Sequence, residues 1–337
     1  MEKLFYDVVA VGNAVVDVLA RVGEGFLKER DLPKGGMVLV EAQDAGKIYA
    51  DLVVEREVSG GSAANTIAAI ASLGGTPAFI GKVHDDELGK VFKRDIGAAG
   101  IDFFTQPLEQ GPATGRSIVL VTPDAERSMF TYLGASKKLT VHDIDEEIIK
   151  SSKIVYLEAY LWDGQSAQKA MVKACKLAKK HGKKVAFSLS DKQCVIRHHQ
   201  EFVKLIRRYV DILFANEIEI KTLYEENDLM KILDIVKEEC DITAITMGDR
   251  GSVVVNGRTK TFVEAEKVEE VVDSTGAGDS FAAGFLYGVI NERSLGTCAM
   301  IGSFAAAEII SHYGARPEIS LRGFVRNRLH QNGKKSI

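Results

Sequence analysis

Cysteine, proline and tryptophan are scarce in this chain of 337 residues, which contains four, six and one of them, respectively. The four cysteines, Cys175, Cys194, Cys240 and Cys298, lie far apart in the sequence. A zinc site or a redox pair usually needs close spacing such as C-x-x-C. We therefore expect four reduced thiols, and neither a zinc site nor a redox centre.

A strong net charge and long apolar runs are also absent. The formal net charge of −4 gives no general attraction to nucleic acid or to an anionic membrane. No apolar run approaches the roughly 20 residues that span a bilayer. The apolar N-terminus is interrupted by Asp7 and Asp17 and lacks the basic start of a secretion signal. We expect a cytoplasmic protein that binds neither nucleic acid nor membranes.

Short β-branched runs alternate with helical patterns along most of the chain. Predicted strands cover 6–12, 77–83, 152–158, 184–190, 210–216 and 242–248, and predicted helices cover 62–73, 85–99, 166–182, 201–209, 278–290 and 296–312. This alternation predicts an α/β fold with a mostly parallel sheet that is covered on both faces. We expect residues 1–337 to form a single domain.

Two stretches, approximately 14–43 and 101–135, depart from this alternation. Both contain strand-like segments, and Pro123-Asp124 marks a hairpin in the second stretch. We expect these excursions to form a small second sheet. Such a sheet would act as a lid over the carboxyl ends of the core strands, where open α/β sheets bind ligands.

The run "VVDSTGAGDSF" (271–281) places glycines where a strand leads into a helix. Gly276, Ala277 and Gly278 would leave the first amides of that helix open to an anion. Asp279 then places a carboxylate beside the anion, which is consistent with a general base that accepts a proton from a hydroxyl attacking a phosphoryl group. A turn followed by an aspartate that stabilises the helix dipole has the same residues, and for an isolated junction both interpretations stand.

Three further groups of polar residues support a site. Gly61, Ser62 and Asn65 in "SGGSAANT" (59–66) bring backbone and an amide to a helix start, which suits hydroxyl recognition or a tightly packed turn. Asp17 lies in an apolar strand and needs hydrogen-bond donors, either sugar hydroxyls or a neighbouring backbone N–H.

Asn216 and Glu219 in "NEIE" share one face of a helix start and offer oxygen ligands to water-bound Mg²⁺. The same pattern, N-x-x-E, is a capping pattern, and on its own this motif favours the structural interpretation.

Taken in order, these elements resemble the ribokinase-like (PfkB) family of sugar and nucleoside kinases, and within it the adenosine kinase-like branch. The resemblance spans essentially the whole chain and rests on "VGNAVVD", "SGGSAANT", "TGRSIVLVTPDAERS", "ANEIE", "TMGDRGS" and "DSTGAGDSFAAGF". It implies a ribokinase-like three-layer sandwich with a small β lid. It also implies transfer of the γ-phosphoryl of ATP to a primary hydroxyl, with Mg²⁺ and, in many members, a monovalent cation such as K⁺.

The resemblance also assigns roles to residues. Asp279 corresponds to the catalytic base, and the amides of Gly276, Ala277 and Gly278 to the anion hole. Asn216 and Glu219 match the magnesium motif. The remaining expectations are sugar contacts from Asn13, Asp17, Gly61, Ser62 and Asn65, a lid arginine, Arg127, that reaches the phosphates, and nucleotide contacts from Asn216, Gly248, Gly251 and Thr275.

The resemblance favours adenosine as the substrate, with its 5′-hydroxyl as the acceptor, and a free sugar or another nucleoside as the alternative. A nucleobase needs apolar or aromatic walls, and the candidates near the lid are Phe104, Phe130, Tyr132, Tyr160 and Trp162, each of which also suits ordinary packing. Residues 188–202 match nothing assignable, and His198 and His199 there suit the surface. A monomer is favoured over a homodimer.

Two other classes of protein fit less well. A dinucleotide-dependent oxidoreductase needs G-x-G-x-x-G after the first strand, where this chain has one glycine in "VGNAVVD". A non-catalytic sensor on the same scaffold would be expected to lose the base or the anion-hole glycines, and Asp279 with both glycines is present.

Overall fold

The computed structural model describes residues 5–124, 126–331 and 333. The strands of this part of the chain are β1 (Tyr6–Val11), β2 (Val15–Arg21), β3 (Gly36–Leu39), β4 (Arg56–Gly60), β5 (Pro77–Ile80), β6 (Asp102–Phe103), β7 (Gly115–Val121), β8 (Arg127–Tyr132), β9 (Ser152–Glu158), β10 (Lys184–Ser188), β11 (Ile212–Asn216), β12 (Ile242–Thr246), β13 (Ser252–Asn256) and β14 (Thr259–Val263).

The α-helices in the same residues are α1 (Glu24–Glu29), α2 (Ala42–Ala50), α3 (Ser62–Leu73), α4 (Glu87–Ala98), α5 (Glu146–Lys150), α6 (Gln165–Lys180), α7 (Lys192–Arg197), α8 (His199–Tyr209), α9 (Glu217–Tyr224), α10 (Leu229–Val236), α11 (Ala277–Ile290), α12 (Leu295–Ile309) and α13 (Leu321–Gln331). Within this described part, none is both long and apolar enough to cross a bilayer.

The larger sheet has the strand order β14-β13-β12-β11-β10-β9-β1-β5-β6. The pairs from β12 through β1 to β6 are parallel, and β13 and β14 add an antiparallel hairpin at one edge. The two faces of this sheet pack against two separate apolar cores. The predicted α/β fold with a mostly parallel sheet is thus confirmed.

The alternation of side chains along β1 explains the three layers. Val9 and Val11 belong to the core beneath α6 and α8, whereas Val8 and Ala10 belong to the core beneath α3 and α11. Successive residues of a strand point to opposite faces, so a strand that is buried on both sides is a continuous apolar run. This is the pattern seen in "YDVVAV".

The smaller sheet has the order β3-β8-β7-β2-β4 and lies over the carboxyl edge of the larger one. Four of its strands come from the stretches 14–43 and 101–135, but β4 lies outside both. Residues 102–103, at the start of the second stretch, pair instead with β5 of the larger sheet. Helices α1 and α2 cover the outer face of this lid and enclose a small core that contains Leu27, Ile48 and Phe130.

The chain changes direction across the larger sheet at β1. After β1 it continues on one side to β5 and β6, and it later returns to the other side through β9. Such a switch point leaves a crevice at the carboxyl ends of the two central strands. Asn13 follows β1 and Glu158 ends β9, so both lie at this crevice.

Helices α11 and α12 approach each other closely along a seam of small residues. A Cβ atom added at Gly284 would lie 2.6 Å from the carbonyl oxygen of Ile301 and 2.7 Å from the Cα of Gly302. Both neighbours are backbone atoms, which cannot rotate away. The seam therefore tolerates no side chain at this position without a shift of the two helices.

We predict that Gly284→Ala lowers the free energy of unfolding by about 1–3 kcal/mol, the usual cost of overpacking. The measurement is urea-induced unfolding followed by circular dichroism. Gly46→Ala is the matched control, because a Cβ at that position in α2 meets no atom within 4 Å, and it should stabilise by about 0.5–1 kcal/mol. Equal stability of Gly284→Ala and the wild type would contradict the packing described here.

Candidate active site

A cavity of approximately 1440 Å³ lies between the lid and the carboxyl edge of the larger sheet. Its walls include the crevice at β1 and β9, the starts of α3 and α11, and the inner face of the lid. The predicted site residues that line it are Asn13, Asp17, Gly61, Ser62, Asn65, Arg127, Asn216, Glu219, Thr275, Gly276, Gly278 and Asp279. Residues that the sequence places more than 200 positions apart therefore meet at one surface.

The starts of α3 and α11 are held together by Asp279. Ser62 Oγ donates a hydrogen bond to Asp279 Oδ1 at 2.6 Å, and Asn65 Nδ2 donates to Asp279 Oδ2 at 3.5 Å. Both donors come from the first turn of α3, and Asp279 lies in the first turn of α11. The carboxylate is half-buried and faces the cavity, where an incoming hydroxyl can reach it.

Gly276 makes the sharp turn that precedes α11. Its φ of 80° and ψ of 1° place it in the left-handed region, and an added Cβ would lie 2.7 Å from the Cβ of Ala315. No side chain caps this helix start in the described structure. The amide of Ala277 donates to the carbonyl oxygen of Ser274 at 3.2 Å. The predicted anion-hole amides are those of Gly276, Ala277 and Gly278, and the amide of Ala277 is hydrogen-bonded to the backbone in this structure.

Glu158 is a site residue that the sequence analysis did not identify. Its Oε1 accepts the amide hydrogen of Asn13 at 2.6 Å, and its Oε2 accepts that of Ala63 at 2.5 Å. The side chain is fully buried and lines the cavity. A glutamate that ends the apolar strand "SKIVYLE" was the available signal, since a buried carboxylate needs donors.

Asn13 has unused hydrogen-bonding capacity at the same point. Its residue is 3% exposed, and neither Nδ2 nor Oδ1 of its side chain has a hydrogen-bond partner among the described residues. Buried polar atoms in native proteins nearly always have partners. Because Asn13 lines the cavity, a ligand with both donor and acceptor groups, such as a hydroxyl, would satisfy it.

Four carboxyl groups in the cavity have raised pKa values. Burial raises the pKa of Asp17 and of Asp279 to about 6, and that of Glu158 and of Glu219 to about 7. Ser62 and Asn65 partly oppose this effect at Asp279 by donating hydrogen bonds to its charged form. Clusters of such groups in a cleft are typical of active sites.

Asn216 and Glu219 form the capping box that their spacing allows. Asn216 Oδ1 accepts the amide hydrogen of Glu219, and Glu219 Oε2 accepts that of Asn216, both at 2.8 Å. Asn216 Nδ2 also donates to Glu219 Oε1 at 2.8 Å. The capping interpretation of the motif therefore holds, and both residues also line the cavity.

These residues fit magnesium only in its usual hydrated form. The described residues contain no group of three or more histidine, cysteine or acidic side chains that could enclose a metal ion. Mg²⁺ typically keeps several waters and contacts one or two carboxylates together with substrate phosphates. Glu219, which is buried beside Asn216, offers that kind of carboxylate.

Arg127 is held by an acid of the glycine-rich run. Its Nη1 lies 2.6 Å from Asp273 Oδ2, and its guanidinium lies 5.0 Å from the ring centroid of Tyr313. Asp273 Oδ1 also accepts from the amide and the hydroxyl of Thr275 at 3.0 and 2.7 Å. The lid is thereby joined to the loop that precedes α11, and Thr275 supports this loop.

Several other predicted residues lie elsewhere. Gly248 and Gly251 form the turn after β12, beyond the cavity lining, which reaches Thr246. Of the five aromatic candidates, Tyr160 lines the cavity. Phe130 and Tyr132 pack in the lid core, Trp162 packs in the main core, and Phe104 is 49% exposed.

Part of the unassigned segment 188–202 reaches the cavity. Asp191 caps α7 by accepting from the amides of Gln193 and Cys194, and Asp191, Gln193 and Arg197 line the wall. His198 and His199 are hydrogen-bonded, to Asp163 and to the carbonyl oxygen of Leu223, rather than free at the surface.

Comparison with known proteins supports a kinase. Residues 54–321 match the model of the pfkB family carbohydrate kinases. The structure of adenosine kinase from Sinorhizobium meliloti is 45% identical, with a TM-score of 0.89 over 96% of this chain and 99% of that one. A probable sugar kinase from Rhizobium etli CFN 42 is 41% identical, with a TM-score of 0.89 over 97% and 98% of the two chains.

A 5-dehydro-2-deoxygluconokinase from Geobacillus kaustophilus (strain HTA426) is 28% identical over 296 residues, which are 81% of this chain and 86% of that protein. The resemblance seen in the sequence motifs is confirmed by these matches. The individual site roles, the magnesium and potassium ions, the cytoplasmic location and the monomeric state stay predictions.

We predict that the stability of the protein depends on pH through Glu158. Because burial raises its pKa from 4.5 to about 7, the folded state holds the proton more tightly than the unfolded chain. The resulting stabilisation is complete below pH 4.5 and is lost as the pH rises through 7, by about 3 kcal/mol in total.

Urea unfolding of the wild type and of Glu158→Gln across this pH range measures the effect. The difference between their free energies of unfolding should fall with rising pH. Glu87→Gln is the control, since the side chain of Glu87 is 88% exposed. Its free energy of unfolding should differ from that of the wild type by the same amount at every pH. A difference that is also independent of pH for Glu158→Gln would refute the raised pKa.

Proposed function

Because the chain belongs to the pfkB family of carbohydrate kinases, which are phosphotransferases acting on a sugar or nucleoside hydroxyl, we propose that it transfers the γ-phosphoryl of ATP to the 5′-hydroxyl of adenosine. The observation that carries the choice of a nucleoside is the arrangement of side chains on the inner face of the lid. The catalytic part of the proposal rests on Asp279 and the start of α11.

In the proposed reaction Asp279 accepts the proton of the attacking hydroxyl. Its position at the cavity surface, held by Ser62 and Asn65, supports this role because a general base must lie within hydrogen-bond reach of the hydroxyl. The start of α11, without a side-chain cap, presents amide hydrogens and the positive end of the helix dipole to the phosphoryl group.

The sugar would be held at the crevice between β1 and β9. Asp17 accepts hydrogen bonds from hydroxyls, and the unpartnered amide of Asn13 supplies both a donor and an acceptor. With the hydroxyl fixed beside Asp279, positioning and electrostatics account for most of the rate, as expected for phosphoryl transfer. Magnesium, when bound near Asn216 and Glu219, neutralises charge on the phosphate oxygens.

Beyond Val15, which begins β2 and also lines the cavity, strand register arranges the inner face of the lid in two rows. The row next to the crevice contains Asp17, Ser117 and Thr131, which are aligned across β2, β7 and β8, and Ser117 Oγ lies 3.0 Å from Thr131 Oγ1. This row is polar at its centre and is flanked by Val58 on β4 and Leu39 on β3.

The second row lies farther from the crevice and is apolar. It contains Leu19, Val119, Met129 and Met37, aligned across β2, β7, β8 and β3, and all four line the cavity. A free pentose or hexose is polar all round and would leave this row exposed to water. A nucleoside has a polar sugar and an apolar, flat base in the same order as the two rows, which supports a nucleoside.

The similarity to a solved structure described as an adenosine kinase, at 45% identity over nearly the whole chain, also supports adenosine. Of the aromatic candidates, each of which also suited ordinary packing, Tyr160 lines the cavity. Aliphatic side chains of the lid form the apolar row.

A sugar acid is the second candidate substrate. Arg56 on β4 pairs in register with Leu19 at the edge of the apolar row and lines the cavity. An arginine at that position suits a carboxylate, and the 5-dehydro-2-deoxygluconokinases, whose name denotes a sugar acid, are similar to this chain. The free sugars ribose and fructose remain the simpler alternatives.

We predict that Asp279→Asn lowers kcat by at least ~100-fold, the usual scale for loss of a general base, and leaves the thermal midpoint close to that of the wild type. Since the base acts in its ionised form and burial raises its pKa to about 6, wild-type kcat/KM should fall as the pH drops below 6. Asp17, with a pKa also raised to about 6, contributes to the same limb. Near-normal turnover by Asp279→Asn would remove the proposed base.

We predict that adenosine gives the highest kcat/KM in a panel with inosine, ribose, fructose and 5-dehydro-2-deoxygluconate. ATP consumption gives the rates, and ³¹P NMR of the product identifies the phosphorylated position. Leu19→Ala should raise KM for adenosine about tenfold, since one apolar contact is worth about 1–3 kcal/mol, with little change in kcat. Val53→Ala is the control, because Val53 is 86% exposed and outside the cavity lining.

A higher kcat/KM for ribose or fructose would contradict the assignment of the apolar row to a nucleobase. A higher kcat/KM for the sugar acid, lost in Arg56→Gln, would support the second candidate instead. Absence of turnover with every compound of the panel would reject the proposed substrates together.

A further inference from the structure

Arg316 lies on the floor of the cavity in the loop between α12 and α13, where no motif marks it. Its Nε donates a hydrogen bond to Asn65 Oδ1 at 2.8 Å. Its Nη2 donates to the carbonyl oxygen of Ser59 at 2.7 Å and to Ser59 Oγ at 3.0 Å. The guanidinium thus contacts both the end of β4 and the first turn of α3.

The bond to Arg316 determines how the amide of Asn65 is oriented. A guanidinium N–H only donates, so the oxygen of Asn65 must face Arg316. The amino group of Asn65 then faces the other way, and it lies 3.5 Å from Asp279 Oδ2. If the amide flipped, its N–H group would face the N–H of Arg316, and its carbonyl oxygen would face the carboxylate of Asp279. Arg316 therefore holds the Asn65 N–H in the direction of Asp279.

The far side of Arg316 is anchored outside the cavity. Ser59 is fully buried, and its hydroxyl and amide both donate to Asp95 Oδ2, at 2.6 and 2.7 Å. The hydroxyl of Ser59 thus donates to Asp95 while it accepts from Arg316. Asp95 lies on α4, which packs against β4. A continuous series of hydrogen bonds joins Asp95, Ser59, Arg316, Asn65 and Asp279.

We propose that Arg316 is a positioning residue for phosphoryl transfer, which fixes the Asn65 amide toward Asp279 and is itself fixed by Ser59 and Asp95. The proposal rests on the function proposed above. The Nε and Nη2 of Arg316 are directed to Asn65 and Ser59 rather than into the cavity.

The positive charge of Arg316 acts in the same direction as this geometry. It lowers the pKa of both Asp17 and Asp279, opposing the effect of burial. Asp279 also interacts electrostatically with Asp17 on β2, with Glu158, Tyr156 and Tyr160 on or after β9, and with Glu219 on α9. The charge of Arg316 is therefore surrounded mainly by carboxyl groups.

Steady-state kinetics with the panel compound that gives the highest rate test the proposal. We expect Arg316→Gln to lower kcat about tenfold or more, within the range of couplings inside one hydrogen-bond network, with KM for ATP unchanged. The pH below which kcat/KM falls should be higher in Arg316→Gln than in the wild type.

Arg316→Lys should return this pH to the wild-type value, because the positive charge remains. It should not restore kcat, because the planar guanidinium that orients Asn65 is lost. Arg326→Gln, an exposed arginine on α13, is the control and should match the wild type.

A double-mutant cycle separates positioning from an independent role. If Arg316 acts through Asn65, the double variant Arg316→Gln/Asn65→Ala should be no slower than Asn65→Ala alone. Multiplication of the two single effects, or a kcat of Arg316→Gln within threefold of the wild type, would overturn the proposal. Melting temperatures of all variants identify any loss of kcat that comes from unfolding, and Arg316→Lys provides the test if Arg316→Gln does not fold.

A measurement without substrate distinguishes failure of this proposal from failure of the proposed function. The ¹³C carboxyl resonance of Asp279, assigned by its loss in Asp279→Asn, reports the titration of that group directly. Its midpoint should rise in Arg316→Gln and in Asn65→Ala, and an unchanged midpoint in both would refute the role of Arg316. Absence of turnover with the whole panel would reject the proposed substrates while leaving this result to decide on Arg316.

Discussion

Glu158 joins three elements at the point where the larger sheet changes direction. Its two oxygens accept amide hydrogens from Asn13, after β1, and from Ala63, in the first turn of α3. The same helix turn holds Ser62 and Asn65, which in turn hold Asp279. The position of Asp279, the proposed base, therefore depends on a second carboxylate, which holds the same helix turn. Burial of Glu158 raises its pKa, so this arrangement is maintained at a cost in stability that enzymes commonly accept at their sites.

The candidate site concentrates acids at a place that must receive an anion. Asp17, Glu158, Glu219 and Asp279 all lie at or beside the cavity, and burial favours their neutral forms. Arg316 and the uncapped start of α11 supply the opposing positive potential. In the proposed reaction, the balance between them decides whether Asp279 is ionised when the hydroxyl binds. The hydrogen bonds around the site thus control charge as well as geometry.

The sequence was sufficient for the parallel centre of the main sheet and for several residues at its carboxyl edge. A continuous apolar run placed β1 correctly, a small-residue helical pattern placed α3, and the glycine-rich run marked α11. The hairpin β13–β14 and the short helices α2 and α10 were missed, because segments of five to nine residues contain too few repeats to establish a period. Arg316 could not be found, since its role comes from contacts with Asn65 and Ser59 some 250 positions away. The sequence could not tell which of the five aromatic candidates line the cavity, because proximity in sequence does not tell on which face of a strand a side chain lies. In the structure Tyr160 lines it.

The strands of the lid serve two purposes through their alternation. Ile118, Leu120 and Phe130 point outward and form the lid's own core, whereas the residues between them, Ser117, Val119 and Met129, point into the cavity. The inward positions can therefore change identity without disturbing how the lid folds. In the proposed function, the first inward row contacts the sugar and the second contacts the group that the sugar carries. Under that proposal, a new acceptor would require substitutions only in the second row, which lies on different elements from Asp279 and the start of α11.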